Sequence, residues 1–280
     1  METVRVALVQ AGWLGEREAM KAQYDTLVAQ AADRGANLVC LPELSLSPYF
    51  PGKREQEGFQ RAEALPGGDS DTFFSQLARQ YQVMICGSLF EKTDDGHYYD
   101  TATLHDAEGN LIGTTRKIHI PSGEGYHESD FFEGGSTYPV FDLGAVNIAT
   151  PTCYDQWFPE LSRIYTLNGA EFIFYPTAIG SEPTDPNIDT AEAWQTVMRG
   201  QAIANGVYIG AANRIGEENG VRFYGSSFIC DPMGRILVQA GRDTTEVIVA
   251  DLDGEILRHW RTLFPLLAQR RPATYARLCE

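Results

Sequence analysis

Positive charge is in short supply in this chain. Its 280 residues carry 22 lysines and arginines against 38 aspartates and glutamates, a formal net charge of −16 at pH 7. Such a surface repels phosphate backbones and anionic headgroups, so neither nucleic acid nor a membrane is expected as a partner. Lysine is the scarcer cation. It occurs only as Lys21, Lys53, Lys92 and Lys117, so a lysine inside a motif is less readily dismissed as surface decoration. Long apolar runs are missing as well: none approaches the roughly 18–20 residues that a spanning helix needs. The opening METVRVALVQAG has no basic segment followed by an extended apolar stretch. No secretory leader is read there, and a cytoplasmic location is expected.

Paired cysteine motifs are also lacking. The five cysteines, at positions 40, 86, 153, 230 and 279, are widely and irregularly spaced, and neither C-x-x-C nor H-E-x-x-H occurs. That excludes a disulfide framework, fits a reducing compartment, and gives no reason to expect a metal or an organic cofactor. What the chain does have is a composition of 43% hydrophobic and 11% aromatic residues, that of a folded globular protein. Its length suffices for one large domain with a substantial core.

Strand-like and helix-like runs alternate. VRVALVQ (4–10) reads as a buried strand, and 15–34 as an amphipathic helix with Met20, Tyr24, Leu27, Val28 and Ala31 on one side. A strand at 36–43, a helix from DSDTFFSQLARQY and a strand at 83–90 follow. Later come AVNIAT, a helix near 158–168, EFIFYP (171–176), a helix near 189–204 and VYIGAAN (207–213). Two hairpins interrupt this rhythm: LHDAEGNLIG and ICDPMGRILV each place Asp, then Gly three residues later, between apolar strands. The second half therefore roughly repeats the first. An α/β fold is expected, with two packed sheets and helices outside, in one domain over 1–280.

Cys153 differs from the other cysteines. Cys40, Cys86 and Cys230 sit inside apolar strand-like runs, where a cysteine acts as a small hydrophobe. Cys153 follows a strand, in TPTCYDQWFPE, where open α/β folds present reactive groups. A helix start nearby would lower its thiol pKa and offer N–H groups to an oxyanion. A nucleophile needs a base. His119 and His127 fall in a plausible loop, so a Cys–His couple stays open on composition. Two strand ends offer other partners: Glu43 closing LVCLPE, and Arg116 with Lys117 in LIGTTRKIHIP. Taken singly, Glu43 could be a capping acid, and the two cations a solvated strand end.

Taken together, LPEL, TRKIHIP and PTCYDQWFPE resemble the three motifs of the nitrilase superfamily, carbon–nitrogen hydrolases with a Glu–Lys–Cys triad. RKIHIPSGEGYHE, GAEFIFYPTAIGSEP, NRIG and FYGSSFI extend the resemblance from about Val4 to RRPATY, and within the superfamily they look like the N-carbamoylputrescine amidohydrolases. The resemblance implies a four-layer α-β-β-α sandwich. It implies Glu43 as general base, Cys153 as nucleophile, and Lys117 with the Tyr154 N–H as oxyanion stabilisers. Glu128, ending GYHE, matches a second glutamate that positions the lysine and the substrate; nearby Glu124 fits that place less well. Tyr49, Tyr154 and Glu182 are implied as substrate-binding residues. No metal or cofactor is required. Relatives pair through helices, which makes a homodimer or larger homo-oligomer the expectation, with the stretch at about 255–280 among the interface candidates.

The partner implied is therefore a small ureido or amide substrate, N-carbamoylputrescine first. Two departures touch the pocket: Tyr154 stands where tryptophan is usual, and Leu46 where a polar or acidic residue is common. An amidase for an N-carbamoyl amino acid or a small aliphatic amide is the alternative. It would need a cation aimed at the substrate carboxylate, and Arg199 and Arg214 are the candidates. A third reading is a non-catalytic scaffold, which the complete triad argues against.

Overall fold

The strand Val4–Gly12 shows how the layers are built. Successive side chains of a strand point to opposite faces. Here Val6 and Leu8 enter one apolar cluster, and Ala7 and Val9 another. The first cluster lies between two sheets, where Val6, Leu8, Leu38 and Leu104 meet Ile148, Phe172, Phe174 and Ile229. The second joins the sheet's other face to helices α1 (Arg17–Asp33) and α2 (Asp69–Tyr81). The computed structural model describes residues 1–279, so only Glu280 of the expected interface stretch lies outside it.

Helix α1 buries Met20, Tyr24, Leu27, Val28 and Ala31, the set its helical spacing predicts. Helix α2 carries Asp69 and Asp71 in its first turn, where carboxylates complement the helix dipole, and buries Phe73, Phe74 and Leu77. The second sheet is covered in the same way. Helix α3 (Pro159–Leu167) starts on a proline, whose missing N–H costs nothing there. With α4 (Ala191–Asn205) it lays Leu161, Tyr165, Trp194 and Met198 on Ile173, Tyr175, Ile209 and Ala211. Each such fully buried large side chain contributes about 1.5–3 kcal/mol relative to exposure. The result is a four-layer α-β-β-α sandwich. A last helix, α5 (Gly254–Leu263), is capped by the Asp253 carboxylate accepting from the Glu255 N–H. No described helix is long and apolar enough to cross a membrane.

One sheet has nine strands. Its main path runs Val221–Tyr224, Arg214–Glu218, Val4–Gly12, Leu38–Cys40, Met84–Lys92, Tyr98–His105 and Leu111–Arg116. The other has six, in the order Ile236–Gln239, Phe228–Cys230, Tyr208–Ala212, Phe172–Pro176, Asn147–Ala149 and Phe141–Asp142. The two similar hairpins are present, and each turns at a glycine with positive φ, Gly109 at 81° and Gly234 at 73°. In each, the aspartate read from sequence accepts backbone N–H groups: Asp106 from Asn110, and Asp231 from Met233 and Arg235. The strand expected at 36–43 is only Leu38–Cys40. Pro42 has no N–H to continue a ladder, and the chain turns away through Leu44 at φ 48°.

The halves also exchange strands. Glu246–Leu252 returns to pair antiparallel along Val4–Gly12, and Arg214 and Ile215 pair parallel with Ala11 and Gly12.

Candidate active site

Three strand ends converge on one edge of the sandwich. Leu38–Cys40 and Leu111–Arg116 both run parallel to Met84–Lys92, the second through two antiparallel steps. Glu43 and Lys117 therefore emerge at the same end of the first sheet, and Cys153 follows Asn147–Ala149 of the second. This is where ligands bind in open α/β sheets, outside the carboxyl ends of strands.

Glu43 is held by its backbone neighbours. The Leu44 N–H donates to Ser88 Oγ at 2.9 Å and the Ser45 N–H to the Ser88 carbonyl at 2.9 Å. Arg214 donates to the carbonyls of Glu43 at 3.4 Å and Ser47 at 2.9 Å. Lys117 Nζ lies 2.7 Å from Glu43 Oε1, donates also to Glu128 Oε2, and lies 3.6 Å from Asp100 Oδ2. The Tyr49 hydroxyl donates to Glu128 Oε1 at 2.8 Å. Lys117, Glu43 and Asp100 are fully buried, and Glu128 is 1% exposed.

Cys153 opens a short 3-10 turn, Cys153–Trp157, with its own φ at 37°. A non-glycine residue there stores of order 1–3 kcal/mol of strain, held by its surroundings. The holder is Asp155. Its buried carboxylate accepts from the Thr152 N–H at 3.2 Å, the Ile118 N–H at 3.3 Å and the His119 N–H at 2.9 Å, and bonds His119 Nδ1 at 2.9 Å. The segment leaving Lys117 is thereby tied to the turn that carries the thiol.

Burial dominates the electrostatics. It pushes the Cys153 thiol well above its ordinary range; Glu43 adds to the rise and Lys117 opposes it. The sequence expectation of a lowered thiol pKa is thus corrected: desolvation outweighs the turn and the ammonium. Burial likewise lifts Glu43 well above the usual carboxylate range, against the pull of Lys117. It works against the Lys117 ammonium too, but Glu128 and Glu43 overcome it and hold that proton well above the ordinary lysine range.

A cavity of about 520 Å³ opens above this cluster, with Cys153 and Glu128 in its wall. Tyr154 and Glu182 line it, together with Glu124, Tyr126 and Trp157. Tyr49 does not. It stands behind Glu128 with its hydroxyl engaged there, a brace for the acid and no part of the described wall. Arg199 donates to the Gly234 carbonyl, and Arg214 is spent on the Glu43 loop and Glu218. No lysine, arginine or histidine is among the described lining residues.

The Cys–His couple left open by the sequence has no geometric partner among the described residues. His119 stacks on Phe158 at 3.5 Å between ring centroids, and His127 accepts from Arg54 Nε at 3.2 Å. The carboxyls of Glu43, Asp100 and Glu128 lie within 4.8 Å of one another and could in principle gather a metal ion. The Lys117 ammonium already stands among them as their cation. Sequence reasoning missed Asp100 and Asp155. Asp155 was in plain view in CYDQW, but three of its four bonds go to Ile118 and His119 in another segment.

Chemically, the cluster offers a thiol to form a bond, a carboxyl to move a proton and an ammonium to face an oxyanion. Comparison with known proteins shows the family. The carbon-nitrogen hydrolase family model matches residues 5–262. An N-carbamoylputrescine amidase of Oryza sativa subsp. japonica is 39% identical over 260 residues, covering 90% of this chain and 86% of the relative. A citrullinase of Francisella tularensis subsp. tularensis is 35% identical over 98% of both chains. Among solved structures, a carbon-nitrogen hydrolase from Helicobacter pylori G27 superposes with a TM-score of 0.95 at 33% identity, covering 100% of this chain and 99% of that one. With its family model spanning nearly the whole sequence and its sandwich shared with solved members, this chain belongs to the carbon–nitrogen hydrolases of the nitrilase superfamily and is an amide-hydrolysing enzyme.

Proposed function

We propose that the protein hydrolyses N-carbamoylputrescine to putrescine, carbon dioxide and ammonia through a covalent intermediate on Cys153. The observation that carries the substrate is the charge of the cavity wall. Glu182 and Glu124 line it, and no described lining residue is a cation. Burial raises the Glu182 carboxyl, and no hydrogen bond or ion pair in the described structure engages its side chain. A carboxylate lining the same cavity as the thiol attracts an ammonium on the substrate and repels a substrate carboxylate. The rice and Francisella relatives, named for N-carbamoylputrescine and citrulline, both point to a ureido group at the reacting end.

On this reading each group of the site has a step. Glu43 takes the Cys153 proton as sulfur attacks the ureido carbon, and Lys117 with the Tyr154 N–H meets the oxyanion. Glu43 returns the proton to the departing ammonia, leaving a carbamoyl thioester. Water, deprotonated by Glu43, then releases a carbamate that loses carbon dioxide. Glu128, fixed by Tyr49, keeps Lys117 in place.

The test is ammonia release from a panel of N-carbamoylputrescine, citrulline, N-carbamoyl-β-alanine and a small aliphatic amide. N-carbamoylputrescine is expected to give the highest kcat/KM. Glu182→Gln should raise KM for that substrate by about tenfold or more, equivalent to at least ~1.4 kcal/mol, and leave the neutral amide unchanged. Faster turnover of N-carbamoyl-β-alanine, or equal damage on the neutral amide, would move the assignment to an N-carbamoyl amino acid or a simple amide.

A further inference from the structure

Lys117 faces three carboxyl groups, and the third is Asp100. With every group ionised, one ammonium would stand against three buried carboxylates. Adjacent carboxylates cut off from solvent do not all ionise; one of them retains a proton. The hydrogen-bond accounting shows where it belongs. Both oxygens of Glu128 are engaged, Oε1 by Tyr49 and Oε2 by Lys117. Glu43 uses Oε1 for Lys117, and Asp100 uses Oδ1 for the Ser88 hydroxyl at 3.0 Å. Glu43 Oε2 and Asp100 Oδ2 remain, both buried and both without a partner. The deficit falls on this pair.

Register keeps the two together. The Lys117 N–H donates to the Asp100 carbonyl at 2.9 Å. Ser88 serves as a common post, accepting from the Leu44 N–H beside Glu43 and donating to Asp100. The charged and titratable groups facing the pair are Lys117 and Glu128, with Tyr49 behind Glu128 and Cys153 from the opposite sheet. Burial lifts the Glu43 carboxyl, Lys117 opposes this, and Asp100 and Glu128 add to the rise.

We propose that Asp100 is a positioning residue for the general base, its Oδ2 sharing one proton with the carboxyl of Glu43; this rests on the cysteine mechanism proposed above. With the shared proton drawn toward Asp100, Glu43 is an anion and can take the thiol proton. The S–H bond breaks, an O–H bond forms on Glu43, and the shared proton stays on Asp100. When Glu43 passes its proton to the departing ammonia, the pair again holds one. The same exchange serves the water step. Asp100 thus removes a conflict in the site, in which a base buried deeply enough to hold a proton must still be free to accept one.

Infrared spectroscopy of the full-length enzyme near pH 8 reads this directly, because exposed carboxyls are ionised there. The wild type should show the carbonyl band of a protonated carboxylic acid, and Asp100→Asn should lack it. The asparagine amide can donate to Glu43 without a titratable proton. Its turnover should stay within about tenfold of wild type, whereas Asp100→Ala, with no donor, should lose at least about a hundredfold. Circular dichroism checks that both variants fold. No acid band in the wild type, or a band that persists in Asp100→Asn, overturns the shared proton. Equal loss in the Asn and Ala variants overturns the positioning role. Turnover by Cys153→Ala would instead bring down the cysteine mechanism while leaving the band's assignment standing, so the two failures are distinguishable.

Discussion

A thiol and a carboxyl whose proton affinities both rise on burial shift in the same direction, so the carboxyl's gain in basicity works against the thiol's loss of acidity. That is the situation of Cys153 and Glu43, each raised first by desolvation. The pH dependence follows. Because the Glu43 value is raised, its carboxylate fills with protons at a higher pH than a free glutamate, near 4.3, would. Turnover should therefore fall as pH drops through that raised value, and the acid limb of kcat/KM should lie above the ordinary carboxylate range. A kcat/KM profile checks it; full activity down to about pH 4 would contradict it. Glu43, Lys117 and Cys153 could be singled out in the sequence because each follows a strand-like run, but only the resemblance of LPEL, TRKIHIP and PTCYDQWFPE to family motifs gave them roles. Asp100 could not, since its meaning lies in Ser88 and Lys117, neither adjacent in sequence. Tyr49 was read as a pocket residue for the same reason: its partner, Glu128, is 79 positions away.

At the scale of elements, the turn Cys153–Trp157 depends on a buried acid that is not among the described lining residues of the cavity. Asp155 satisfies the N–H groups of Thr152, Ile118 and His119 at once. Removing it leaves those donors buried and lets the lysine segment drift from the cysteine turn. Asp155→Ala is expected to cost about 3–5 kcal/mol of stability, the usual penalty for breaking a buried, bonded charge. Turnover measured well below the melting transition should fall by at least about tenfold. Denaturant unfolding alongside kcat tests both; an unchanged midpoint would show that the carboxylate carries neither role. The helices could be read from sequence because an apolar stripe every three to four residues is a strong local signal, as in α1. The reading of 36–43 as strand overshot because LVCLPE stays apolar past the point where pairing stops. Apolar content reports burial, and burial here continues into a loop.

At the scale of the molecule, two layers of helix over two sheets follow from alternation along strands such as Val4–Gly12, which the sequence displays. The exchange of strands between halves was not legible, because partner choice among similar apolar strands leaves no mark in composition. At the end of α5 the chain exposes Leu263, and beyond it Phe264, Leu266, Tyr275 and Leu278. Leu167 and Ile203 are exposed on α3 and α4. Apolar area of this kind is characteristic of an association surface, and Phe264→Glu is expected to convert a dimer or larger assembly to monomer in sedimentation velocity. A monomeric wild type would contradict this. The strand exchange has a consequence for synthesis. Val4–Gly12 leaves the ribosome long before its antiparallel partner, Glu246–Leu252. At ~5–20 residues per second, the nascent chain holds that edge open for some tens of seconds. Helices α1 and α2 can settle on one face of the early strands in that time, but the first sheet closes only after translation has passed Leu252. An exposed strand edge recruits other chains, so the growing polypeptide is most open to aggregation before Lys117 and Cys153 have a finished sandwich to stand on.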